Sequence, residues 1–262
     1  MEQKHRALVR RELLKIQTEE QKLRKKAETA KPAQWKKTLE GKIPEKVYTG
    51  LEKAFCTGFS LVFRHGRKLI ELIYKKESLK QEHILRDQAV QAEASRRDFK
   101  QMQKNVRNAG VKNMAATTAE GMALGALGVG MPDVVLFLAT LLKGVYETAL
   151  HYGFEYETPE EQYLILRMMS ASLKTGRDWL REDAKVDQLL MEDAIAVDPE
   201  VLKEQIRKTA SAFAVDMLVL KFIQGMPVVG FLGGAANPVY YRKVMNYVQR
   251  KYRKRYLLKQ LK

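Results

Sequence analysis

From Val134 to Tyr152 the apolar side chains fall at spacings of three and four. Val134, Leu138, Leu141, Val145, Ala149 and Tyr152 form one stripe of an amphipathic helix. The same period marks both ends of the chain, with Val9, Leu13, Ile16 and Leu23 near the start and Tyr241, Met245, Val248 and Tyr252 near the end. Clean alternating segments are lacking, as are Asn-Gly or Asp-Gly hairpin turns. The pattern predicts helices over roughly 3–28, 44–75, 79–106, 111–129, 132–151, 159–195, 199–223 and 238–260. This is an all-α chain, read as a basic N-terminal helix (1–33) followed by a helical domain (34–258) that ends in a basic C-terminal helix (238–262). The first and last helices are expected to be basic, amphipathic and projecting.

Helix starts are well signposted. Thr158-Pro159-Glu160-Glu161 combines an N-cap, a proline at the first helical position and a capping-box glutamate. Asp198-Pro199 and Asn237-Pro238 repeat the cap-then-proline order, and Ile43-Pro44-Glu45 opens another helix in a similar way. Each proline presets φ where a missing N–H does no harm.

Two apolar islands interrupt this regularity. The first, Gly121–Leu142, carries one charge, Asp133, at its middle. Its length matches a membrane span, but Gly130 and Pro132 stop the helix between them. Each resulting piece of about 11 residues reaches ~17 Å at ~1.5 Å per residue, short of a hydrocarbon core of ~30 Å. A helical hairpin fits better, with Asp133 in the first turn of its second arm, where the macrodipole favours an anion. Gly121 and Gly125 give its first arm a small face for close packing. The second island, Phe222–Tyr241, has no charge; it holds Gly225 and Pro227 in a second Gly-Met-Pro turn, then Gly230, Gly234 and Asn237. The fold is therefore expected to contain two glycine-rich apolar hairpins, either packed on each other in the core or dipping into or docking against a membrane component. No Lys-Ser or Lys-Thr follows the glycines and no strand precedes them, so a phosphate loop is not supported.

Charge changes the picture of the ends. The chain of 262 residues has a formal net charge of +16. Residues 1–53 hold 15 basic and 8 acidic side chains, and residues 242–262 hold 9 basic and none acidic, while the body between is balanced. Such ends suit an anionic lipid or nucleic acid. On the last helix the tyrosine-bearing stripe is flanked by Arg242, Lys243, Arg250, Lys251, Arg253, Lys254 and Arg255, a pattern suited to lipid headgroups. Nucleic acid would use the same cations, but no nucleic-acid motif accompanies them. The lone Cys56 forms no internal disulfide and suits a reducing cytoplasm, and the N-terminus lacks a signal-like apolar run.

Chemistry is sparsely signalled. His5, His65, His83 and His151 have no metal-binding spacing, no nucleophile elbow is present, and neither metal nor cofactor is expected. Glu120, Asp133, Glu147 and Asp216 lie in apolar helices; Glu120, Asp133 and Asp216 are the candidates for acid–base work if any exists. The alternative is that these carboxylates cap helices or pair with Lys143, Arg167 or Lys221.

The spaced elements around the islands resemble the EcsC family of bacterial proteins. They are Glu120-Gly121, the glycines from Gly125 to Gly130, Pro132-Asp133, Tyr152-Gly153, then Pro227-Val228-Val229-Gly230 and Gly233-Gly234-Ala235-Ala236-Asn237. The Ile43-Pro44-Glu45-Lys46-Val47 segment is similar to the family's N-terminal portion, and the resemblance covers roughly residues 34–258. The family is named for the third product of a Bacillus operon whose other products are ABC-transporter subunits. The resemblance implies an accessory protein and no catalytic mechanism. The expectation is thus a non-enzymatic cytoplasmic accessory or scaffold, peripheral on the inner face of the plasma membrane, with anionic lipid and ABC-transporter subunits as partners. The alternatives are a membrane-proximal hydrolase using buried carboxylates and a nucleic-acid-binding protein.

Overall fold

In the computed structural model of the protein, residues 2–30, 44–71, 104, 132–192, 196–223 and 236–262 are described. Within them the chain is all-α. The helices are α1 (Glu2–Thr29), α2 (Glu45–Glu71), α3 (Pro132–His151), α4 (Pro159–Leu173), α5 (Gly176–Met191), α6 (Pro199–Ile223) and α7 (Ala236–Lys259).

Two of the caps read from sequence, Thr158 and Asp198, are made, whereas the last helix begins at Ala236 and so takes in Asn237. Thr158 Oγ1 accepts the Glu161 N–H at 3.2 Å, with Pro159 in the first turn of α4. Asp198 Oδ1 accepts the Val201 N–H at 2.9 Å and starts α6. Helix α3 ends in a Schellman turn: Phe154 N–H reaches Ala149 O and Gly153 N–H reaches Leu150 O, each at 2.9 Å. Gly153 takes φ 76°, a left-handed value that a side chain would resist.

Helix α6 packs on α2 and α4, α2 packs on α3, and α4 packs on α5. Phe213 of α6 is fully buried, with Phe55 and Phe59 of α2 at 5.5 and 5.8 Å and Phe137 of α3 at 6.2 Å between ring centroids. Helix α7 lies against α1, α3, α4 and α5. Its stripe of Tyr241, Met245, Val248 and Tyr252 is buried, and so are Val9, Leu13 and Ile16 of α1. Neither end projects: α1 and α7 share one continuous core with the body.

The long helix expected over 159–195 is two helices. Lys174 and Thr175 are extended, and Gly176 takes φ +56° at the start of α5. The chain turns there because α5 must pack back on both α4 and α1. At two crossings a side chain of the facing helix occupies the space of a Cβ. A Cβ on Gly58 of α2 would lie 2.8 Å from Leu138 Cδ1 of α3. One on Gly144 of α3 would overlap the Tyr241 hydroxyl of α7 and sit 3.2 Å from Met245 Sδ. The expected helices 79–106 and 111–129 lie outside the described residues apart from Lys104, as do the first arm of the first hairpin and the turn of the second.

Candidate functional site

Among the described helices the most basic, α7, is also the one most enclosed by others, and its cations are matched by carboxylates from α1, α4, α5 and α6. Lys251 Nζ is 2.7 Å from Glu20 Oε1, 2.8 Å from Asp183 Oδ1 and 2.6 Å from Asp187 Oδ1, and its side chain is 0 % exposed. Lys254 Nζ, also buried, reaches Glu20 Oε2 at 2.7 Å and Asp187 Oδ1 at 2.9 Å. Tyr247 Oη donates to Asp183 Oδ1 at 2.9 Å. Arg24 of α1 closes the cluster from the solvent side, 3.2 Å from Asp183 Oδ2 and 2.7 Å from Asp187 Oδ2. Three carboxylates thus meet three cations, and the cluster is neutral.

The electrostatics follow. Burial alone would push the Lys251 ammonium down, but the adjoining Asp183, Asp187 and Glu20 outweigh it and hold it above the usual lysine value. Burial would raise the Asp187 carboxyl, yet Lys251 and Lys254 hold it below its usual value. The Tyr247 phenol is driven well up by burial and by Asp183 beside it, so it remains a donor.

Two smaller pairings extend the pattern along α7. Arg253 Nη2 meets Glu12 Oε2 of α1 at 2.6 Å, and Lys15 holds the other oxygen of that carboxylate. Arg255 Nη1 lies 2.8 and 2.7 Å from the two oxygens of Glu161, which also accepts the buried Tyr252 hydroxyl at 2.6 Å. The Arg255 guanidinium covers the Phe154 ring at 4.2 Å. Lys243 Nζ is 3.2 Å from both Asp216 Oδ2 and Leu173 O. Arg250 lies over the Tyr247 ring at 5.5 Å, and Arg242 is exposed.

The seven cations of α7 singled out for polyanion binding therefore do not make one open face. Lys251 and Lys254 are enclosed against carboxylates, where no lipid headgroup reaches them. Lys243, Arg253 and Arg255 are tied to Asp216, Glu12 and Glu161. What sequence reasoning missed is the acidic set. Glu12 and Glu20 sit among Val9, Leu13 and Ile16 on the inner stripe of α1, and Asp183 and Asp187 lie four apart beside Val186 and Leu190 in α5. Carboxylates at core-facing positions of an amphipathic helix were the available signal, since they are retained there only when paired.

Of the acid–base candidates, Asp216 has its carboxylate on Lys243, and the side chain of Lys221 lies outside the described residues. Glu147 is buried and partnered. Asp133 stands in the first turn of α3, as expected, but its side chain, like all of Glu120, lies outside the described residues. So do Gly121, Gly125, Gly130, Gly225, Pro227, Gly230 and Gly234, and the side chains of Pro132 and Asn237. Among the described residues no group of three or more His, Cys, Asp or Glu is placed to hold a metal ion, and no helix is long and apolar enough to cross a membrane.

The class defined by these features is an all-α protein wound around its own most basic helix, with a buried ion-pair cluster joining α1, α5 and α7. The EcsC protein family model matches residues 7–257, nearly the whole chain, and the chain belongs to the EcsC family. The match takes in most of α1 as well as the body. No curated protein and no solved structure matches the chain.

Proposed function

We propose that this protein is a non-enzymatic accessory or scaffold, held peripherally on the anionic inner face of the plasma membrane beside an ABC transporter. The carrying observation is the charge balance. The buried cluster closes at neutrality, so it absorbs none of the net +16, and that surplus lies elsewhere on the molecule. A surface with such an excess attracts anionic lipid, each basic residue close to it contributing about 1 kcal/mol. The transporter link comes from family membership, since the family is named for an operon that encodes one. Among the described residues the one candidate of the hydrolase alternative, Asp216, is held by Lys243.

Fractionation of native cells tests the membrane reading. The protein is expected in the membrane fraction at low salt and in the supernatant after extraction with about 1 M salt, where the Debye length falls to ~3 Å. Recovery only in the soluble fraction at low ionic strength would overturn it.

A further inference from the structure

Once Lys243, Lys251, Arg253, Lys254 and Arg255 of α7 are assigned to internal partners, an unopposed row of positive charge remains on α1. Val9, Leu13, Ile16, Glu20 and Ala27 are buried and define its inner side. Lys4, Arg11, Lys22 and Lys25 are all exposed. At 100° per residue they fall within a sector of about 60°, opposite that inner side. From Lys4 to Lys25 the row runs about 32 Å along the helix at ~1.5 Å per residue. None of the four takes part in an ion pair among the described residues. The other positions of that sector are Ala7, Thr18 and Thr29, with Leu14 and Lys15 about 20° beyond its two edges; no acid is among them, and the exposed Glu19 and Glu28 lie on the flanks. Leu14 is 60 % exposed beside the row.

We infer that this outward face of α1 is the surface by which the protein docks on an anionic lipid bilayer, the helix lying flat on the headgroups. The inference rests on the peripheral-membrane reading and assigns it a face. Charge complementarity supplies the occupant: a straight line of cations fits an extended plane of phosphates, and the exposed Leu14 is suited to the acyl boundary. Nucleic acid is the less favoured polyanion, because α1 has no Phe, Tyr or Trp on which bases would stack. Meanwhile the inner face of α1 is clamped to α5 and α7 through Glu12, Glu20 and Arg24, so docking at the outer face holds the whole domain.

The test is co-sedimentation of the full chain with vesicles of phosphatidylglycerol in phosphatidylcholine, and with phosphatidylcholine alone. Substitution of Lys4, Arg11, Lys22 and Lys25 by Gln is compared with a control in which Arg177, Lys203, Arg207 and Lys208, exposed on α5 and α6, become Gln. Both remove four positive charges, and Gln keeps helix propensity. The wild type and the control are expected to bind anionic vesicles, and the α1 variant to bind on the order of 600-fold more weakly, each single substitution costing about 5-fold. Equal binding by the two variants would overturn the α1 face while leaving membrane attachment standing. Failure of the wild type to bind either vesicle would overturn both. Binding of a single-stranded oligonucleotide in place of vesicles, lost in the α1 variant, would replace lipid by nucleic acid as the occupant.

Discussion

At Lys251 one fully enclosed ammonium faces three carboxylates, from Glu20, Asp183 and Asp187. Taking such charges out of water is costly, so the cluster is weak evidence for stability but strongly dependent on each of its members. Lys251→Met keeps the length of the side chain and removes its charge, leaving carboxylates buried without their main counter-ion. The expected loss is about 3–5 kcal/mol, read from urea unfolding; an unchanged midpoint and slope would show that the carboxylates find other partners. The pH dependence has a definite sign. Asp187 is held below its usual value, so its contribution is present above about pH 3.9 and is lost as pH falls through its lower folded value. Lys251 is held above its usual value, so its contribution is complete below about pH 10.4 and fades as pH rises through its higher folded value. In Lys251→Met the orphaned carboxylates are relieved by protonation. The stability gap between wild type and variant is therefore expected to narrow as pH falls from 7 towards 4, and a constant gap would contradict this electrostatic account.

Between elements, close approach is set by single small residues. Helices α3 and α7 cross at Gly144, where an added Cβ would overlap the Tyr241 hydroxyl. Gly144→Ala is expected to cost about 1–3 kcal/mol through displacement of that ring. Adding Tyr241→Phe removes the colliding oxygen, so the double variant should lose less than the sum of the two single losses; strict additivity in denaturant unfolding would mean the collision is relieved by other shifts. The elements themselves were largely legible in the sequence, because periodicity and caps are local. Thr158, Asp198 and Pro44 mark helix starts with side chains or φ values that act within four residues. The break at Lys174-Thr175-Gly176 was less legible, since apolar spacing continues on both sides and the reversal is driven by packing of α5 on α4 and α1. Gly58 and Gly144 escaped notice for the same reason: Gly144 sits alone in its helix and Gly58 is eight residues from Gly50 and Gly66, so neither has the Gly-x-x-x-Gly spacing that drew attention to the islands, and only the crossing partner reveals its use.

For the whole molecule, the distribution of charge was legible and its meaning was not. The excess of cations over residues 242–262 is plain from composition, but their partners lie 27 to 241 positions away, from Asp216 to Glu12. No local rule pairs them, and a tyrosine- and lysine-rich helix reads as a surface until the acids of α1, α4, α5 and α6 are placed around it. This reverses the expected outcome of one simple experiment. If α7 were a detachable lipid-binding tail, removing residues 242–262 would leave a folded body that no longer binds membranes. In the structure that segment contributes Val244, Met245, Val248, Tyr252, Tyr256 and Leu257 to the core, all buried. It also supplies every cation facing Asp187 except Arg24. Deletion would remove a helix packed against α1, α3, α4 and α5 and leave Glu20, Asp183 and Asp187 crowded together. Burial of a single large side chain is commonly worth about 1.5–3 kcal/mol, and total stability is ~5–15 kcal/mol. Loss of six such side chains therefore exceeds what the remaining fold supplies. A chain ending at Tyr241 is expected to lack a cooperative thermal transition by circular dichroism and to elute as aggregate or expanded chain in gel filtration. A truncated protein that melts sharply near the wild-type temperature would instead establish α7 as an appendage and return its cations to the surface.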